Sequence, residues 1–289
     1  MISLLLDPLT YGFMSRALAT ALIASIVCAM LSCWLVLVGW SLMGDAVSHA
    51  VLPGVVLSYI IGAPFAVGAV LFGFLAVALI GLVRNTSRVK EDAAIGIVFT
   101  SLFSFGLVLI SVTPSHTDLN HIIFGNLLGV SRAEMLQVIG LAVLVFGALL
   151  LKRRDLTLYA FDPIHAHAIG LSPRALGAGL LALLALTTVV ALQVVGVILV
   201  VAMLIIPGAT AYLLTDSFGT MLLIAPAMAA ACAVMGLYCS YYLDTATGAM
   251  MVLAQACVFT IVYLFGPRGL VYAGVRSRTP RQSQHAPAG

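Results

Sequence analysis

Apolar runs of about 20 residues recur along this chain, separated by short stretches rich in glycine, proline or charge. A helix needs about that many residues to cross a bilayer, because every backbone polar group in lipid must be satisfied within the segment. The pattern predicts spans near residues 15–37, 39–61, 64–83, 93–112, 134–151, 175–192, 195–214, 219–240 and 248–266. That makes nine crossings, or eight if the first or seventh stretch does not cross fully. The opening MISLLLDPLTYGF lacks a basic start and a small-residue cleavage site, so it reads as a short interfacial stretch rather than a signal. The expected fold is an all-α polytopic membrane protein: one transmembrane domain over 1–272, then a polar, proline-containing tail over 273–289 expected to be disordered.

Two stretches interrupt the rhythm. Residues 113–133, TPSHTDLNHIIFGNLLGVSRA, include an apolar piece too short to cross, expected to be a re-entrant or surface helix. Residues 155–174, DLTLYAFDPIHAHAIGLSPR, look ordered. Asp162-Pro163 is a helix start, and IHAHAIG would form about two turns ending at Gly170. A short helix between spans is a natural handle for a soluble partner; an ordinary interfacial loop is the alternative.

Composition supports lipid as the main solvent. Hydrophobic residues make up 63% and charged residues 8%, with a mean hydropathy of +1.19, whereas a soluble domain carries about a quarter charged residues. The chain has no G-x-x-x-x-G-K-[ST], so any nucleotide hydrolysis belongs to a partner, and no H-E-x-x-H of an intramembrane zinc protease. A net charge of +3 is too small for a nucleic-acid surface. The five cysteines lie in apolar stretches without C-x-x-C spacing and are expected to be small buried hydrophobes.

Charge placement is more informative than charge total. Arg84, Arg88 and Lys90 share one loop; Lys152, Arg153, Arg154 and Arg174 flank another; Arg268, Arg276, Arg278 and Arg281 follow the last span. Assigning these loops to the cytoplasm leaves only Arg16 and Arg132 outside, the arrangement the positive-inside rule favours. It puts the C-terminus in the cytoplasm and, with nine spans, the N-terminus outside.

The segment GWSLMGDAVSHAVLPGVVLSYIIG, residues 39–62, carries the candidate chemistry. As a span it places Asp45 and His49 between its cytoplasmic half and the midplane. An aspartate at a helix centre costs about 2.5–3.5 kcal/mol on insertion scales, so such residues usually face a cavity and carry function. Their i, i+4 spacing puts carboxylate and imidazole on one helix face. That O,N pair suits Mn²⁺, Fe²⁺ or Zn²⁺ rather than Cu⁺, which prefers sulfur. The plainer alternatives are a capping or salt-bridged Asp45 and a packed His49, with Ser48 bonding back to its own helix. Pro53 and Gly54 follow and weaken the helix just past the pair. One pair supplies too few ligands. Two copies around a two-fold axis would join two Asp45 to two His49, a set of charge −2 matched to a divalent cation.

Other polar positions have simpler expectations. Gln193 joins the sixth and seventh spans, Asp244 is expected at an outer helix end, and Glu91 and Asp92 suit a helix N-terminus. His116, Asp118 and His121 are outer-loop residues that would meet incoming metal only if solvation is not their whole role.

At GDAVSHAVLPG, residues 44–54, the chain resembles the membrane permeases of the metal-uptake branch of ATP-binding-cassette importers, which serve manganese, zinc and iron. The likeness covers about residues 5–272 and includes EDAAIGIVFTSLFSFGLVL, HIIFGNLLGVS, FDPIHAHAIGL, VGVILVVAMLIIPGATAYLLT and LDTATGAMMV in order. It implies a type II-like importer permease of eight or nine helices, paired with a second permease copy (identical or a close relative). It further implies two cytoplasmic ATPase subunits and an extracytoplasmic metal-binding protein as partners. Under that resemblance Asp45 and His49 contact the ion in transit. Asp162, Pro163, His165, Ala166 and Gly170 lie in the loop that couples to the ATPase. The ion is a transported substrate, no permanently bound cofactor is implied, and the chain is a transport subunit rather than an enzyme. The wording SHAVLPG is nearest to manganese and iron permeases, so manganese is expected first. The turn GWSL, residues 39–42, departs from the pattern, since many relatives place arginines there. The remaining readings are a permease for a metal chelate or vitamin, and a secondary metal transporter without an ATPase.

Overall fold

The computed structural model describes residues 11–113, 127–196 and 199–268, and every regular element among them is helical. The interfacial stretch at residues 1–10, most of the predicted outer helix with His116, Asp118 and His121, and the tail after 268 lie outside the described residues.

The chain begins with α1 (Gly12–Val38), which stops where Gly39 turns left-handed at φ 79°. Next come α2 (Ser41–Ala50) and α3 (Leu52–Ile61), together one 21-residue span with a break at Val51. Gly62, at φ 69°, ends α3, and Pro64 precedes α4 (Phe65–Thr86). Then follow α5 (Glu91–Val112), a short 3₁₀ turn at Leu127–Gly129 and α6 (Arg132–Leu151). A reciprocal cap starts α6: Glu134 N–H donates to Ser131 Oγ at 3.2 Å, and Ser131 N–H donates to Glu134 Oε2 at 2.8 Å. Two short helices, α7 (Arg153–Phe161) and α8 (Pro163–Ala168), precede α9 (Pro173–Val195). The last elements are α10 (Val200–Leu214), α11 (Phe218–Leu243) and α12 (Thr247–Phe265).

Eight of these segments are long and apolar enough to cross a membrane. The seventh predicted stretch, 195–214, is the exception: α9 runs on to Val195 and Gly196, at φ 77°, ends it, leaving α10 only 15 residues. It still returns the chain to the end from which α9 rose, because Tyr212 and Asp216 meet Arg268 at the foot of α12. That end also gathers Trp40, Arg84, Tyr159 and Arg174 around one cavity, and Phe161, Asp216 and Arg268 around another. The loops grouped by charge in the sequence therefore sit together, at what is called below the basic end.

With lipid outside, helix association depends on close packing rather than on escape from water. The helix α1 is the central strut, and small residues make up much of its buried face. Ser32 Oγ accepts the Gly208 N–H at 2.9 Å and donates to the Ile205 carbonyl at 3.3 Å, locking α1 to α10. Trp34 is fully buried and meets Phe218 edge-on at 5.1 Å, locking α1 to α11. Elsewhere glycines let backbones touch. A Cβ on Gly236 would lie 2.5 Å from Met251 Cα, and one on Gly248 2.9 Å from Val195 Cα. The tightest approach joins α3 to α4, where a Cβ on Gly54 would strike the Gly68 carbonyl and one on Gly68 would strike the Gly54 carbonyl. Ser58 Oγ also accepts the Gly68 N–H at 3.0 Å.

The cysteines only partly follow expectation. Cys28, Cys33 and Cys232 are buried, but Cys239 is half-buried and Cys257 is exposed, on the outward side of α12 where lipid can solvate a thiol.

The Gly54–Gly68 contact predicts an asymmetric response to substitution. Gly54→Val forces two backbones apart and should cost about 1–3 kcal/mol or more, seen as loss of the monodisperse peak after heating in fluorescence-detected size exclusion. Gly179→Ala, where an added Cβ meets nothing within 4 Å, should leave the same melting curve unchanged or slightly raised.

Candidate metal path

Asp45 and His49 lie on consecutive turns of α2, the first about 6 Å and the second about 12 Å in from Ser41 at the usual helical rise. Asp45 Oδ1 and His49 Nε2 are 3.3 Å apart, with the side chains 37% and 20% exposed. The pair is therefore neither on the surface nor sealed in the core. Ser48, between them, is fully buried and donates to the Asp45 carbonyl at 2.8 Å, so it serves its own helix.

Aromatic rings hold the imidazole. Phe103 of α5 meets it edge-on at 5.0 Å between centroids, and Phe99, one turn earlier, stands 6.0 Å away. These walls were not singled out in the sequence, where EDAAIGIVFTSLFSF looks like any lipid-facing helix. Only the i, i+4 spacing of the two phenylalanines hinted at a shared face. His49 Nδ1 is buried without a hydrogen-bond partner, so the protein commits only the Nε2 side of the ring, toward Asp45.

The spacing suits one shared ion. Two donors each roughly 2.0–2.2 Å from a metal stand about 3 Å apart when they subtend a right angle, close to the separation observed. Among the described residues no group of three or more His, Cys, Asp or Glu could hold a metal, so within them no third side chain of these types joins the pair.

Just beyond His49 the helix is interrupted. Pro53 sits in the first turn of α3 and has no N–H to give the His49 carbonyl four residues back. Gly54, which follows Pro53, is also the point of contact with Gly68 on α4. The break and the packing contact are adjacent, so the span is re-anchored immediately after it is broken. On the other side of α2, a Cβ on Gly44 would lie 3.7 Å from Leu204 Cδ1, fixing this helix against α10.

The handle segment is built as a capped single helix. Asp162 Oδ1 accepts the Ile164 and His165 N–H groups at 3.0 and 2.9 Å, and Pro163 opens α8. Ala166 is fully buried beneath it, and Gly170 closes it at φ 89°. His165 is exposed, as are the apolar Phe161, Ile164 and Ile169, at 62%, 83% and 57%. At the neighbouring turn Phe161 meets Phe218 edge-on at 6.2 Å. The ion pair of Asp216 with Arg268, and the stacking of Arg268 on Tyr212, close this region; neither pairing was expected from the sequence. Gln193 lies near the end of α9 with its carbonyl oxygen unpartnered, and Asp244 is the left-handed cap of α11.

Residues 10–266 match the model of the ABC 3 transport family. The chain is 48% identical over 264 residues to the manganese transport system membrane protein MntB of Synechocystis, covering 91% of this chain and 86% of that one. It is also 48% identical over 263 residues to the chelated iron transport system membrane protein YfeD of Yersinia pestis, covering 91% and 89%. Among solved structures it resembles PsaBC from Streptococcus pneumoniae, with a TM-score of 0.88 and 39% identity over 96% of this chain and all of that one.

The Asp162 cap yields a local prediction. Asp162→Ala should cost α8 about 1 kcal/mol, so amides 164–166 should exchange roughly fivefold faster in hydrogen-exchange mass spectrometry. Asp162→Asn, which keeps an accepting oxygen, should exchange like the parent.

Proposed function

The chain belongs to the ABC 3 transport family and is a membrane-crossing transport subunit, and on that premise we propose that it carries a divalent transition-metal ion past Asp45 and His49. The observation that carries this reading is the 3.3 Å carboxylate–imidazole pair on α2, half-open and walled by phenylalanines. The donor set admits manganese and iron(II); manganese is put first on the wording SHAVLPG and on relatives named for manganese, and iron(II) follows, since a relative is named for chelated iron.

The remaining assignments follow. The basic end is cytoplasmic, which puts Arg268 and the C-terminus inside. The exposed face of α8, with Ile164 and His165, docks on a cytoplasmic ATPase, and an extracytoplasmic binding protein delivers the ion to the opposite end. Asp45 and His49 replace part of the ion's water shell as it enters. ATP binding to the partner moves α8, and the helices exchange an outer for an inner opening. No bond in the ion changes. A second copy completes the ligand set, giving two carboxylates and two imidazoles for one ion, so binding should saturate at one Mn²⁺ per two chains.

In cells expressing the chain with its ATPase and binding protein, Asp45→Ala and His49→Ala should each abolish uptake of radioactive manganese at unchanged membrane level. Competition with iron(II) and zinc ranks the cargo in the same assay. Wild-type transport by both variants would show that the ion takes another path.

A further inference from the structure

At the basic end, a cavity of about 790 Å³ opens between α4 and α9 and above the handle. Two arginines are among its lining residues, Arg84 at the foot of α4 and Arg174 in the first turn of α9. Inward from them the lining turns apolar, reaching Val77 on α4 and Leu181 on α9. Each lies seven residues from its arginine, about 10 Å along the helix. Trp40 and Tyr159 line it as well, with ring centroids 6.4 Å apart. The site is thus charged at the level of the membrane surface, aromatic beside it and oily beyond.

The cavity also continues onto the outer face of the bundle. Leu71, Leu75, Ala78 and Leu82 recur at helical spacing on α4, all exposed; the last two line the cavity and the first two extend from it toward the bilayer interior. A soluble anion would use the arginines and leave this stripe unexplained. A soluble protein segment would use the handle and leave the bilayer-facing opening unexplained. A molecule with an anionic head and a hydrocarbon chain uses both.

We propose that this cavity binds an anionic phospholipid of the cytoplasmic leaflet, its phosphate between Arg84 and Arg174 and one acyl chain along the Leu82–Leu71 stripe. Basic pockets between transmembrane helices on the cytoplasmic side recognise anionic head groups in this manner. Because Tyr159 of α7 and Pro163 of α8 form part of the wall, the lipid contacts the handle that couples to the ATPase. The inference rests on the orientation proposed above and not on the metal site, so loss or survival of manganese uptake in the Asp45 and His49 variants leaves it standing.

The test uses the complex with its ATPase, equilibrated with equal phosphatidylglycerol and phosphatidylcholine, delipidated mildly and weighed by native mass spectrometry. The parent should retain phosphatidylglycerol in preference to phosphatidylcholine, with retention falling about fivefold for each arginine removed in R84Q and R174Q. The lysine variants R84K and R174K should keep the preference, reporting that charge and not folding is at issue. Gly81 lines the cavity, and an added Cβ there meets nothing within 4 Å. Gly81→Phe should therefore expel the lipid with both arginines in place. Equal retention of the two lipids, or unchanged retention in R84Q/R174Q and Gly81→Phe, would overturn the proposal. So would displacement by glycerol phosphate alone, which would make this a free-phosphate site. Loss of the ATPase or of a second copy from the variants with lipid unchanged would make it a protein seat instead.

Discussion

Backbone-to-backbone contact through glycine is the constraint on which this bundle depends. Lipid tails are as apolar as leucine, so burying a leucine against another helix gains little over leaving it in the bilayer. What remains is dispersion at short range, and that requires surfaces that fit. The paired glycines at 54 and 68, Gly236 against Met251, Gly248 against Val195 and the Ser32–Gly208 bond tie α3 to α4, α11 to α12, α12 to α9 and α1 to α10. The helix α2, which carries Asp45 and His49, is positioned by one of these contacts and by a further one. Gly54 fixes the helix that continues it, and Gly44 lies against Leu204 of α10.

This arrangement explains how a carboxylate is tolerated inside the bundle. Asp45 sits one turn in from the start of α2 and one turn before an imidazole flanked by Phe99 and Phe103, and its side chain is only part-buried. The same bundle links the handle to its core through rings in series. Phe161 touches Phe218, and Phe218 touches Trp34, which is fully buried on α1. A displacement of α7 at Phe161 would therefore meet the central helix through two ring contacts in series.

Much of this was legible in the sequence because lipid imposes a simple code. Apolar length marked eight of the spans, and the clustering of basic residues grouped loops that the structure brings to one end. Asp45 and His49 stood out because ionisable groups are rare inside a span, and Asp162-Pro163 because a cap and a first-turn proline are local signals. Non-local pairing was not legible. Phe103 beside His49, Gly68 opposite Gly54 and Asp216 beside Arg268 are set by helix docking, and nothing in FTSLFSF or TDSFG marks the distant partner. The seventh stretch, one of the two expected to fall short if only eight cross, has a regular helix of 15 residues, and the apolar run does not reveal that Gly196 ends α9 at its start.

That short helix has an electrostatic consequence. At 15 residues α10 rises only about 22 Å, against roughly 30 Å of hydrocarbon, and it packs beside the helix that carries Asp45. Charge transfer into a low-dielectric medium is penalised steeply, so on the proposed path a cation beside α2 would pass a helix shorter than the hydrocarbon is thick. On that reading the carboxylate and imidazole of α2 would offset part of the penalty at the level where α10 runs beside them.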